Sequence, residues 1–107
     1  MSETVTALKI TPGQDYAITI QLRPDLSVLQ EHVGGYIEQV QVNDHTALLI
    51  NENGRFDELP VNVLATVISG LYPHNTIVGP ALVVGVTDDG ELANIDPAYI
   101  SRYTSHQ

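Results

Sequence analysis

Thr76-Ile77-Val78-Gly79-Pro80-Ala81-Leu82-Val83-Val84-Gly85-Val86-Thr87 is the stretch on which the fold turns. It is apolar almost throughout and runs into the turn residues Asp88-Asp89-Gly90. A strand whose apolar side chains point both ways has no face to offer water. The stretch therefore reads as a central strand of a sheet, covered on both faces. Its apolar part, Ile77 to Val86, is only ten residues long and is broken by glycine and proline. A membrane-spanning helix needs roughly twenty.

Working outward, the other strands fall into hairpins. Thr4 to Ile10 alternates enough to be a strand. After Pro12-Gly13-Gln14-Asp15, residues Tyr16, Ile18, Ile20 and Leu22 alternate with Ala17, Thr19 and Gln21, the period of a half-buried strand. Tyr36 to Val42 and Thr46 to Ile50 pair through Asn43-Asp44-His45, and Asn51-Glu52-Asn53-Gly54 is a further turn. Glu91 to Ile95 is a short last strand.

Helices fill the gaps. Pro24-Asp25 opens the first, with Asp25 complementing its positive end. Leu26, Leu29 and Val33 form a narrow stripe, and Gly34-Gly35 ends it. Pro60 precedes a second helix through Leu71, bracketed by Gly70 and Pro73. Val61, Leu64, Ile68 and Leu71 line one side of it, while Val63, Ala65 and Val67 make the rest apolar too. That pattern predicts a helix buried on most sides. Asp96-Pro97 starts a terminal helix to Tyr103, and residues 104–107 read as a frayed tail. The expected class is α+β: one domain with a mostly antiparallel sheet of five or six strands and two or three helices. The simplest packing puts the helices on one face.

Composition bounds the function. The 107 residues make one domain, and 43% apolar against 16% charged is the balance of a folded core rather than of a disordered chain. Cysteine is absent, which excludes disulfides, thiolate metal sites and a cysteine nucleophile. Met1-Ser2-Glu3-Thr4 has no positive region leading into an apolar one, so no export signal is expected and the expected location is the cytoplasm. Thirteen acids face four bases, a net charge of −9, with no lysine or arginine between Arg55 and Arg102. Such a chain repels phosphate backbones and anionic lipid, so direct nucleic-acid or membrane binding is not expected. A basic protein surface is the natural partner, unless the acids serve solubility alone.

No catalytic motif is present. No two histidines among His32, His45, His74 and His106 have the spacing of a metal pair, and no serine sits in a nucleophile elbow. Neither a metal nor a cofactor is expected. His32 suits the negative end of the first helix when protonated. Glu38 shares a strand face with Tyr36, Val40 and Val42; if that face is inward, the carboxylate is buried and a candidate for ligand contact or proton transfer. If the strand is an edge, Glu38 reaches water. Asn62 is a helix cap or a ligand contact. Arg23, Arg55 and Arg102 would serve an anionic ligand if the fold gathered them.

The segment Leu29-Gln30-Glu31-His32-Val33-Gly34-Gly35-Tyr36-Ile37-Glu38-Gln39-Val40 resembles the opening of a domain-of-unknown-function family. Asn51-Glu52-Asn53-Gly54, Leu59-Pro60-x-Asn62-x-x-Ala65-Thr66 and Ile77-Val78-Gly79-Pro80 follow in that family's order. The resemblance covers about residues 16 to 87. It implies a setting in bacteriophages, plasmids and conjugative elements, and carries over no catalytic residue. Three functions stay open: a small binding protein that modulates a host factor, either a protein or a small molecule, in the host bacterial cytoplasm; an enzyme built on Glu38; or an assembly module forming a homodimer. The residues to watch for ligand binding are Tyr36, Glu38, Asn62, Arg23 and Arg55.

Overall fold

Every residue of the central strand is buried, and the rest of the fold is arranged to achieve that. The structure is a computed structural model and describes residues 3–72 and 74–104. Pro73 as a helix stop, the N-terminal Met1-Ser2 and the tail from Ser105, His106 included, lie outside those residues.

The chain order is β1 (Val5–Ile10), β2 (Ile18–Leu22), α1 (Leu26–Val33), β3 (Ile37–Asn43), β4 (Thr46–Asn51), α2 (Val63–Ser69), β5 (Ala81–Val86), β6 (Leu92–Ala93) and α3 (Pro97–Tyr103). The strands form one antiparallel sheet in the order β2-β1-β5-β4-β3, with β6 also on β5. One edge of β5 is shared. Leu8–Ile10 of β1 pair with Ala81–Val83, and β6 pairs with Gly85 and Val86. Gly85 is required there, since a Cβ would lie 2.2 Å from the Asn94 carbonyl oxygen.

Helices cover both faces, where one face was expected. Leu8, Ile10, Leu48, Ile50, Ala81 and Val83 pack with Ala65 and Ile68 of α2 and with Tyr99, Ile100 and Tyr103 of α3. Ala7, Leu22, Ala47, Leu49, Leu82 and Val84 pack with Leu29 of α1. The reason is that β4 is as fully buried as β5 and, like it, sets apolar side chains on both sides. A single layer of helices would leave one of those rows in water.

The central strand starts at Ala81, not Thr76. Gly79 is left-handed (φ 81°) and Pro80 has no N–H to give a ladder. Residues 76–80 instead form a rail against the approach to α2. The Asn62 N–H donates to Ile77 (2.8 Å), the Gly79 N–H donates to Pro60 (2.8 Å), and Val61 bridges Val78.

The second helix is shorter than expected and turned differently. Its inward positions include Thr66 and Ser69, while Val63 is 65% and Val67 52% exposed. The hydroxyls decide this. Thr66 Oγ1 donates to the Asn62 carbonyl (2.8 Å) and accepts from the Ile77 N–H (2.8 Å), and Ser69 Oγ donates to Thr66 (2.7 Å). With their polar atoms satisfied by backbone, both side chains are buried at little cost and the valines turn outward. Thr104, expected in the frayed tail, bridges Ala17, and its hydroxyl bonds Ile100.

Asn62 is fully buried and caps α2, its Oδ1 accepting from the Ala65 N–H (3.1 Å). Its Nδ2 donates to the carbonyls of Ile10 (3.0 Å) and Gly79 (2.9 Å), joining β1 to the rail. Asn62→Ala strands two carbonyls and one N–H and is expected to cost about 3–5 kcal/mol in urea denaturation. Asn62→Asp keeps the cap acceptor, yet sets a carboxylate against two carbonyls, and is expected to lose at least as much. Near-native stability in Asn62→Asp would show that the cap, worth about 1 kcal/mol, is all that matters.

Candidate functional site

The outward turn of α2 builds a groove. Val61, Val63, Leu64 and Val67 form one wall and the β1–β2 turn, Gly13-Gln14-Asp15, forms the other, enclosing about 320 Å³. Gly13 supplies the left-handed residue of that turn (φ 91°). Val61, 48% exposed, continues the apolar surface ahead of the helix. Asp15 sets a carboxylate at the rim. Burying what these three half-exposed valines still show to water would be worth about 1 kcal/mol each, and within the chain nothing described covers them.

A second, smaller cleft of about 190 Å³ lies between the faces of α2 and α3, lined by Ile68, Ala98, Tyr99, Arg102 and Tyr103. The two tyrosine rings stand 5.9 Å apart, and the Tyr99 hydroxyl accepts from Asn43 Nδ2 (3.1 Å).

The residues singled out from sequence are dispersed. Glu38 is exposed on the edge strand β3, so of the two readings the edge position in water is the one observed, not the carboxylate buried in an apolar face. Val40 and Val42 do pack inward, but β3 has only one neighbour and its Glu38 end opens to water. Tyr36 has an exposed ring, while its carbonyl accepts from the Glu52 N–H (2.8 Å). Asn62 is the buried brace already described. Arg23 pairs with Asp25 at 3.2 Å on the surface, and the Asp25 carboxylate makes no cap bond to α1, although its backbone carbonyl accepts from the Leu29 N–H (3.0 Å). The Arg55 guanidinium bonds the Asn75 side chain and the Thr76 carbonyl, pinning the loop after β4 to the rail. Arg102 lines the α3 cleft. The three arginines thus hold separate local contacts. Among the described residues, no group of three or more His, Asp or Glu side chains is placed to hold a metal.

Sequence reasoning missed the groove. The valines of α2 were counted as core because periodicity does not reveal that Thr66 and Ser69 win the inward positions. The available signal was Thr66 itself, one helical turn after a capping Asn62, where its hydroxyl reaches the cap's carbonyl.

His32 also differs from expectation. It lies in the last turn of α1, but its Nδ1 is 3.1 Å from Lys9 Nζ on β1. An imidazole beside an ammonium accepts its proton rather than carrying another. Partial burial, then the Lys9 charge, lower the His32 pKa, against a smaller upward pull from Glu31. The neutral form is the native one. The unfolded chain, whose histidine titrates near 6.5, takes up the proton first, so this contribution is complete above that value and lost as pH falls below it. Denaturation curves between pH 7.5 and 5 are expected to show a loss that His32→Gln reduces. Lys9→Met is expected to move the His32 imidazole resonances to a higher midpoint.

The segments that carried the resemblance meet in space. Asn51 Nδ2 bonds the Val33 carbonyl (3.2 Å), a Cβ on Gly54 would meet Val78, and a Cβ on Gly79 would meet Leu59. The motifs therefore describe a structural brace more than a surface. No curated protein and no solved structure matches the chain. A profile described as a domain of unknown function (DUF3846) matches residues 5–107, taking in both termini of the sheet beyond the 16–87 stretch of the resemblance. The chain belongs to the DUF3846 family of domains of unknown function.

Proposed function

We propose that this domain is a non-catalytic binding module of a phage or mobile element, acting in a bacterial cytoplasm by docking its α2 groove on a host protein. The observation that carries the reading is a helix that buries its threonine and serine and turns its valines to solvent. Exposed apolar surface of this kind marks interaction sites. The charge supports the choice of partner. At −9, with Asp15 on the groove rim, the domain favours an amphipathic segment with apolar anchors and flanking lysines or arginines, and disfavours nucleic acid and anionic membrane. No helix among the described residues is long and apolar enough to cross a membrane.

A second reading has a specific feature in its favour. Arg102 beside Tyr99 and Tyr103 suits a small anionic, planar ligand in the α3 cleft.

Native mass spectrometry of the domain purified gently from bacterial cells separates the two. A retained protein, released by salt and weakened at least about tenfold in Val63→Glu/Val67→Glu, is the expected result. These positions are exposed, so the melting temperature is expected to stay within a few degrees of wild type. Retention of the partner by the double variant would remove the groove from the argument. A retained mass of hundreds of daltons, lost in Arg102→Ala, would favour the cleft instead.

A further inference from the structure

The sheet has two edges, and they are not alike. β3 carries the exposed Glu38 and a register irregularity between Gln41 and Asn43, two devices that discourage a strand from adding to an edge. β2 has neither. From Tyr16 to Leu22 it contains no charged residue, no proline and no bulge, and Ile18 is 53% exposed.

The hydrogen bonds show which groups of β2 face outward. Thr6 of β1 gives its N–H to Asn94 and its carbonyl to Ile95, so it points away from β2. By alternation, Val5, Ala7 and Lys9 point toward β2, meeting Leu22, Ile20 and Ile18. Thr19 and Gln21 therefore direct their N–H and C=O groups outward. The Ala17 N–H agrees, since it donates outward to Tyr103 (2.7 Å). Among the described residues, Thr19 and Gln21 have no backbone partner on that side.

We propose that β2 pairs antiparallel with β2 of a second copy of this chain, about a two-fold axis at Ile20. This register confines the ladder to Ile18–Leu22 and leaves the Ala17–Tyr103 bond intact. Thr19 and Gln21 of each copy exchange both of their backbone hydrogen bonds with Gln21 and Thr19 of the other, and the Ile20 side chains meet directly. Charge selects this occupant. Two copies of net charge −9 repel least where they meet through an uncharged surface, and a basic partner strand would find no acid along β2 to recognise. The axis is normal to the sheet, so both copies keep α2 on the same side. If the groove docks a partner as proposed above, the dimer presents two grooves in one direction and binds bivalently. The pairing itself does not depend on that reading.

Because the chain has no cysteine, a single introduced one reports the contact. Ile20 lies opposite its own copy at a pair without direct hydrogen bonds, where side chains come closest and a disulfide can close. Under mild oxidation Ile20→Cys is expected to form a dimer on non-reducing gels at least tenfold faster than Gln39→Cys on β3. Sedimentation of wild type is expected to show reversible dimer at micromolar concentration. Thr19→Pro, which removes an outward N–H and no bond to β1, is expected to shift it to monomer with an unchanged circular dichroism spectrum. Gln21→Lys, which sets like charges across the ladder, is expected to do the same if the proline disturbs folding. A strict monomer in wild type, equal cross-linking of the two cysteine variants, or a dimer that survives both substitutions would overturn the pairing. Loss of the dimer with the host partner still bound to a single domain would leave the groove reading standing.

Discussion

One amide ties this fold together. Asn62 stands where β1 ends, where the rail leads into β5 and where α2 begins, and it bonds all three. Without it, the carbonyls of Ile10 and Gly79 would face each other across a dry gap, and the first turn of α2 would lose its cap. The helix follows from that anchor. Once Asn62 is fixed, Thr66 must face its carbonyl and the Ile77 N–H, Ser69 must follow one turn later, and Val63 and Val67 are left on the outside. The exposed groove is thus a by-product of how the core is wired, and a polar network has set the position of an apolar surface.

Much of the fold was legible because its elements carry their own local signals. The alternation through Ile18, Ile20 and Leu22, the glycine pair closing α1 and the Asp-Pro opening α3 each depend on neighbours in sequence. Helix α1 ends where Gly34 adopts the left-handed conformation, and Asp96 caps α3 through the Ala98 N–H. The errors came where a distant residue decides. Nothing between Thr76 and Pro80 says that its backbone will be claimed by Pro60, Val61 and Asn62 rather than by another strand. Nothing near Val63 says that Thr66 will outcompete it for the interior. The two-sided burial of β5 is readable from its own residues, but which helix covers which face depends on contacts distant in sequence.

The candidate site was less legible for the same physical reason. Polar residues draw the eye in a sequence search, yet here Asn62, Thr66 and Asn51 are consumed by backbone, and Glu38 stands on an edge in water. The sequence sets His32 against its own helix, whereas partial burial, and then Lys9 from β1, lower its pKa. The surfaces open to recognition, the α2 groove and the β2 edge, are mostly apolar or uncharged and carry no motif.

The shared edge of β5 has a consequence for synthesis. Leu8 is made long before its partner Val83, and the far half of the same strand waits for Leu92 and Ala93. Until then β4 and β5, apolar on both faces, have no complete set of neighbours. The sheet cannot be assembled in the order in which it is made, and its centre stays open until β5 has been translated. A chain cut short after β4 would keep β3 along one edge of that strand but have no β5 to close the other.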